Sequence, residues 1–362
     1  MRFCHRCVQD VELRNIIEGL GQREDSCPTC GRSDAFVYDT DINSELTPMF
    51  EELLEVYVPE DMLPQGFPSE RRRTLVAELT ERWHIFDERL APTDVHNVIR
   101  AICAVKCVDS PGLFDGLVGI AESHDAEYLL NHSLLRTNSW DDFVDSVKRR
   151  NRFHTNEINL PILNRYCSLI RKVYKRGSVF FRGRLSSRDG FSPAKMGAPP
   201  PDEATAGRAN SDGISCLYLA SDHLTSIHEI RAGIFDYISV GTFELTQDMV
   251  VVDLGAIDNI SPFIGECDLL EHAINKDHLR RMNLEIGRAL RRSDSPLDYI
   301  PTQYIADFVK SIVNDGGPEY SGIEYNSTIS PGGRNLAIFY PDLFTCVDVK
   351  VYHVRKLKYE LG

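Results

Sequence analysis

Four cysteines open the chain at Cys4, Cys7, Cys27 and Cys30, in the pattern C-x2-C-x19-C-x2-C. A C-x2-C pair on a tight turn aims two thiolates at one point. Two such pairs complete a tetrahedral S4 shell of the kind that holds structural Zn2+. Pro28 and Gly31 suit the turn of such a knuckle. A redox dithiol is the alternative chemistry for this spacing. The S4 shell leaves no open coordination position, so the metal is expected to hold structure and not to react. His5, between the first two ligands, reads as a surface residue. The other six cysteines (Cys103, Cys107, Cys167, Cys216, Cys267 and Cys346) are scattered, mostly among apolar neighbours, and read as buried free thiols.

A second constellation lies toward the carboxy terminus. Arg182 follows the apolar run Val179-Phe180-Phe181, and Gly207-Arg208-Ala209-Asn210 sits in a loop before a strand. Tyr218 is inside Leu217-Tyr218-Leu219-Ala220, Glu229 comes 11 residues later on a helix, and Ser327 ends Glu324-Tyr325-Asn326-Ser327. Spacing alone favours a structural Arg182–Glu229 ion pair, a core tyrosine and a turn-capping serine. His228 is expected to be exposed, since neighbours on a helix point apart.

These groups need elements to position them. At 362 residues the length suggests about two domains with a small third. Composition is that of a globular protein, with 42% hydrophobic and 26% charged residues. No apolar run reaches the roughly 18 residues of a membrane span, and Met1-Arg2-Phe3-Cys4-His5 lacks the apolar core of a secretory signal, so a cytoplasmic protein is expected. A net charge of −14 argues against coating nucleic acid through the overall field. The charge is uneven: Lys148 to Arg188 holds 12 Lys/Arg and one acid, Glu157, a net of +11 that leaves −25 for the rest. Such a stretch is a solvated helix face or a binder of a pyrophosphate, a nucleic acid or an acidic partner.

Residues 1–38 read as a zinc knuckle, too short to hold a core without metal. Residues 44–176 read as a helical middle domain, with helices at Glu45–Tyr57, Glu70–Phe86, Thr93–Cys107, Asp141–Arg150 and Leu160–Lys175. Residues 177–362 read as an α+β domain. Its strands are expected at Val179–Arg182, Cys216–Ala220, Val240–Leu245, Met249–Leu254, Gly322–Tyr325, Leu336–Tyr340 and Cys346–Leu361. Its helices are expected at Leu224–Ala232, Leu269–Arg292 and Thr302–Val313, with a long Gly/Pro/Ser-rich loop from Leu185 to Ile214.

Five pieces in order give this last domain a resemblance to the RES domain family. They are Phe181-Arg182-Gly183-Arg184; Gly207-Arg208-Ala209-Asn210; Leu217-Tyr218-Leu219-Ala220 with Thr225 and Glu229; Gly322 to Ser327; and Gly333 to Phe339. Tyr299-Ile300-Pro301-Thr302-Gln303 is similar to a stretch of longer members. The match covers roughly residues 177–355. The residue after Arg182 is Gly183 where the family often has an aromatic, and Ala209 stands where short members are bulky. The resemblance implies a mixed α/β fold like that of ADP-ribosyltransferase toxins and chemistry on NAD+. That chemistry would be NAD+ glycohydrolase, phosphorylase or ADP-ribosyltransferase activity, in a bacterial toxin paired with an antitoxin or a phage-defence effector. It implies Arg182, Arg208, Asn210 and Tyr218 as NAD+-binding residues and Glu229, Tyr218 and Ser327 as catalytic ones. A regulatory protein and a second copy of the chain are further candidate partners. The helical region is similar to HEPN domains that precede some RES domains, and Arg149-(x4)-His154 has the spacing of a HEPN ribonuclease motif. A zinc-dependent binding module with an inactive RES domain, recognising a partner or nucleic acid, is the remaining alternative.

Overall fold

A computed structural model describes residues 1–265, 268–288 and 295–357. The expectations for Cys267, for the end of the 269–292 helix and for residues past 357 lie outside the described residues. The fold is mixed α/β and forms two compact units, one of residues 1–137 with 259–277 and the other of 138–258 with 278–362. Among the described residues no helix is long and apolar enough to cross a membrane.

This division differs from boundaries at 38 and 176, for two reasons. The amino-terminal knuckle has no separate core. Its strands Arg2–Cys4, Ser33–Asp39 and Gln22–Ser26 form an antiparallel sheet in that spatial order, backed by the helix Val11–Leu20. Phe3, Leu13 and Ile17 then join one continuous apolar cluster with Leu46, Phe50, Phe86 and Ile99. Leu160–Lys175 is also not one helix. The helix ends at Leu169, and Arg171–Tyr174 becomes an edge strand against Met249–Asp253.

The middle region is less helical than its periodicity predicts. Leu46–Leu54 is a helix, and the Thr93–Cys107 pattern resolves into Pro92–Ile102 and Ala104–Asp109, broken at Cys103. The 70–86 stretch instead gives a strand, Arg73–Thr74, a helix start at Leu75 and a wide turn over Glu78–Arg82. The Thr74 hydroxyl accepts from the Ala77 N–H and so fixes that helix start. Arg73–Thr74 pairs in a small sheet with Leu117–Gly119 and Val58–Pro59.

The second unit is built on an eight-stranded sheet. Its spatial order is Phe344–His353, Tyr237–Leu245, Val179–Ser186, Leu217–Ala220, Arg334–Ile338, Gly322–Asn326, Met249–Asp253 and Arg171–Tyr174. Every neighbouring pair is antiparallel except Met249–Asp253 with Gly322–Asn326. Phe180, Leu217, Leu219, Phe243, Leu336 and Ile338 form its core. The helix Ile300–Ser311 starts two residues before the expected one.

About half of the cations in the basic stretch gain acidic partners on folding. Lys148 pairs with Asp298, Arg149 and Arg150 with Asp145, Arg171 with Glu319, and Lys175 with Asp248. Lys172 reaches Glu324, which is fully buried, at 2.8 Å, and Tyr174 reaches it at 2.6 Å. Arg334 joins Glu324 to Asp253. Burial and then the nearby Glu324 push the Asp253 carboxyl above its ordinary range.

Candidate active site

The four amino-terminal thiols converge. Cys4 lies 3.7 Å from Cys7 and 3.6 Å from Cys30, and Cys7 lies 3.8 Å from Cys27. A disulfide would bring two sulfurs to about 2.05 Å. A tetrahedron of sulfurs about 2.3 Å from a central metal has edges of about 3.8 Å, which these separations fit. Contacts with Cys4 and Cys7 push the Cys27 thiol below the usual thiol range, the direction that favours a metal-binding thiolate. His5 is not on the surface. It is 8% exposed, and its Nδ1 accepts from the Phe36 N–H at 3.2 Å. Of the remaining cysteines, Cys103, Cys107, Cys167 and Cys216 are buried as expected, while Cys346 is half-exposed. Burial pushes Cys103, Cys167 and Cys216 up to about 12, which makes them inert thiols.

The carboxy-terminal constellation is organised by a fork in the sheet. Val179–Ser186 pairs with Tyr237–Leu245 from Val179 to Ser186 on one side. On its other side it pairs with Leu217–Ala220 only at Phe181 and Ala220. Beyond that point the strands diverge and open a cleft of about 270 Å3. Phe181, Arg182 and Gly183 line one wall, Tyr218, Leu219 and Ala220 the other, and Glu229, Ile230, Tyr325 and Asn335 complete it. Gly183 lets the helix His223–Glu229 close over the fork, since a Cβ there would stand 2.5 Å from the Ser226 carbonyl oxygen. Arg182 spends one Nη on the Gly197 carbonyl at 2.9 Å. Burial, with Arg184 nearby, lowers it to about 10, so it remains a cation at neutral pH, and among the described residues its other N–H groups take no partner.

The Gly207–Asn210 loop is fastened to Tyr218. The Tyr218 hydroxyl donates to Asn210 Oδ1 at 2.6 Å and accepts from the Ala209 N–H at 3.0 Å. Asn210 Nδ2 holds the carbonyls of Thr205, Ser211 and Ile214, so this buried amide is a loop staple. A Cβ on Gly207 would lie 2.5 Å from the Tyr218 oxygen. Gln303 donates to the Gly207 and Asn210 carbonyls, and Thr302 to that of Arg208. The 299–303 stretch therefore acquires a positioning role that its residue types did not announce. Arg208 is not among the residues that line the cleft. Its guanidinium caps the end of the helix Leu269–Gly287 through the Ile286 and Arg288 carbonyls, and it lies over the Tyr325 ring. A cation at a helix carboxy terminus is favourable.

Glu229 ends its helix facing the cleft. Its Oε1 accepts from Ser327 Oγ and from Asn335 Nδ2, each at 2.7 Å. Asp222 caps the same helix and binds the Thr225 hydroxyl, which reaches Ser330. Gly333 makes room for that knot, because a Cβ there would meet Thr225 Oγ1 at 2.2 Å. The helix is thereby registered on the turn that carries Ser327. His228 is only half-buried, with an Nδ1 that is shielded and, among the described residues, unpartnered. The structure thus gathers Arg182, Tyr218 and Glu229 on one cleft with Ser327 behind Glu229. Asn210 and Arg208 support the walls, and Asn335 and Tyr325 are lining residues that residue type alone did not single out.

Residues 183–361 match the family model described as RES domain; Arg182 immediately precedes the matched span. No curated protein and no solved structure matches the chain. At family level the match brings an NAD+-related, ADP-ribosyltransferase-like role, to which a cleft with a cationic wall and a carboxylate is suited. The family model thus places a RES domain at residues 183–361.

Proposed function

We propose that the chain is an NAD+-consuming enzyme that cleaves the nicotinamide N-glycosidic bond, as a glycohydrolase, phosphorylase or ADP-ribosyltransferase, and that it acts as a bacterial toxin or phage-defence effector. The supporting observation is the convergence of Arg182, Tyr218 and Glu229, drawn from three separate elements, on the fork between two strands. In the reaction the C1′–N bond breaks with its electron pair on nicotinamide, which departs neutral. The ribose becomes oxocarbenium-like and is captured by water, phosphate or a macromolecular nucleophile. Glu229 supplies negative charge beside that cationic centre and a base for the incoming acceptor. Arg182, still charged and with unused N–H groups, binds the pyrophosphate. Tyr218 packs on the nicotinamide side. Arg208 acts from behind, holding Tyr325 and the helix end.

Cys4, Cys7, Cys27 and Cys30 would hold a structural zinc ion, which neutralises their crowded thiolates and ties two turns together. The amino-terminal region is proposed as the regulatory or partner-binding part. The deciding experiment incubates purified protein with NAD+ and follows nicotinamide by chromatography, with mass spectrometry of the ADP-ribose product. Release that disappears in Glu229→Ala supports the reading. Full turnover in that variant overturns it.

A further inference from the structure

Resting on that reading, we infer that the substrate-facing partner of Glu229 is Asn335, which contacts a ribose hydroxyl, and that Ser327 is a positioning residue with nothing left to offer a ligand. The inference follows from counting valences. A serine hydroxyl has one hydrogen to donate and two lone pairs to accept with. Ser327 donates its hydrogen to Glu229 Oε1 at 2.7 Å. Both lone pairs are taken by backbone N–H groups, Ile329 at 3.3 Å and Ser330 at 3.1 Å. The hydroxyl is therefore saturated inside its own turn, and Ser327 is not among the residues that line the cleft.

Asn335 differs on each count. It does line the cleft, and it stands on a strand between two other lining residues, opposite Ala220 on one side and Tyr325 on the other. It is 6% exposed, so what remains accessible of it faces a confined space. Its amide orientation is fixed by chemistry. An ionised carboxylate only accepts, so the nitrogen and not the oxygen must face Glu229. That leaves Oδ1 and the second N–H of Nδ2 with no partner among the described residues. The carboxylate is likewise half-used. Both of its hydrogen bonds land on Oε1, and among the described residues Oε2 receives none. The cleft thus presents three adjacent open valences: a carboxylate oxygen, an amide oxygen and an amide N–H. A hydroxyl both donates and accepts, so a ribose hydroxyl satisfies the amide pair while Glu229 Oε2 faces the neighbouring carbon. An anion would not, because two of the three are acceptors.

The test separates binding from turnover. ADP-ribose affinity is measured by calorimetry, and nicotinamide release is resolved into kcat and KM, for wild type, Ser327→Ala, Asn335→Ala and Asn335→Asp. Asn335→Ala is expected to weaken ADP-ribose roughly tenfold and to raise KM by a similar factor, as loss of about one or two uncharged hydrogen bonds requires. Ser327→Ala is expected to lower kcat with ADP-ribose affinity unchanged. Asn335→Asp keeps an acceptor but sets a second carboxyl beside Glu229. Two carboxylates that close resist ionising together, so the acidic limb of its turnover profile moves to higher pH, which marks Glu229 as the group that titrates there. Wild-type affinity in Asn335→Ala, an equal loss of affinity in Ser327→Ala, or an unmoved acidic limb overturns the inference. A wild-type protein that neither binds ADP-ribose nor releases nicotinamide overturns the NAD+ reading instead.

Discussion

The cysteine knuckle and the forked cleft are both clusters of polar side chains, yet they differ in what each group has left over. In the knuckle the sulfurs face one another at 3.6–3.8 Å, and the four thiolates would complete the shell of a single ion. In the cleft Glu229 binds through one oxygen and, among the described residues, keeps the other open, while Arg182 commits one guanidinium nitrogen to Gly197. A saturated cluster stabilises and an unsaturated one can react. If that contrast is right, the two regions respond to different perturbations.

The largest effect is expected at the knuckle. Structural zinc in small modules contributes on the order of 10 kcal/mol, although a core shared with Leu46 and Phe50 will blunt the loss here. Chelation, or Cys7→Ser, should remove the bound metal and shift the melting of the 1–137 region down strongly. Nicotinamide release should persist, since no cysteine of the knuckle lines the cleft. Turnover that vanishes while the RES domain stays folded would break the separation. Next in size is Glu229→Gln. Removing the charge should cost about a thousandfold in turnover, within the range of positioned acid–base groups, while the isosteric amide leaves melting within about 1 kcal/mol of wild type. An equal loss of stability would make Glu229 part of a saturated cluster too.

The two regions were unequally readable from the chain. The knuckle is local, because two C-x2-C turns declare themselves by spacing alone. The cleft draws on residues from Phe181 to Asn335, and the family resemblance, not periodicity, united them. What escaped did so for physical reasons. The resemblance implies Arg208 as a phosphate ligand, and nothing local in the sequence shows that its guanidinium also reaches the end of a helix 78 residues away. Asn335 was hidden as one polar residue beside Leu336-Ala337-Ile338. Its signal was an amide at the head of a buried strand, where an uncompensated side chain would be costly. The Arg171–Tyr174 strand was missed because Lys172 and Tyr174 look exposed in sequence, whereas both reach inward to buried Glu324.

A third prediction uses pH. His272 is fully buried among Trp83, Lys276 and Arg82. Burial, followed by the charge of Lys276, lowers it from 6.5 to about 3. Below pH 6.5 the unfolded chain binds a proton that the folded one refuses, so stability falls as pH drops from about 6.5 toward 3, by up to roughly 1.4 kcal/mol per unit. Urea unfolding at pH 7 and pH 5 should show a loss of about 2 kcal/mol that His272→Gln flattens. A parallel loss in the variant would move the cause elsewhere. Smaller again is Gly207→Ala. The added methyl must displace the Tyr218 hydroxyl or the loop, at about 1–3 kcal/mol, and it should lower turnover by disturbing Tyr218 while leaving knuckle metal content intact.

The smallest effect is expected at the ribonuclease-like spacing of Arg149 and His154. Arg149 is 78% exposed and pairs with Asp145 at 3.0 Å one helical turn earlier. His154 is also exposed, and its backbone N–H is bound to Asn151 Oδ1. An exposed pair of this kind contributes about 0.5 kcal/mol or less, and the acid at its side already spends part of the charge that a phosphate would need. Arg149→Ala and His154→Ala should therefore leave melting and NAD+ turnover within error of wild type and expose no RNA cleavage to lose. Ribonuclease activity in the wild type that both substitutions abolish would show that these two side chains keep open valences after all. The middle region would then join the cleft on the reactive side of the contrast.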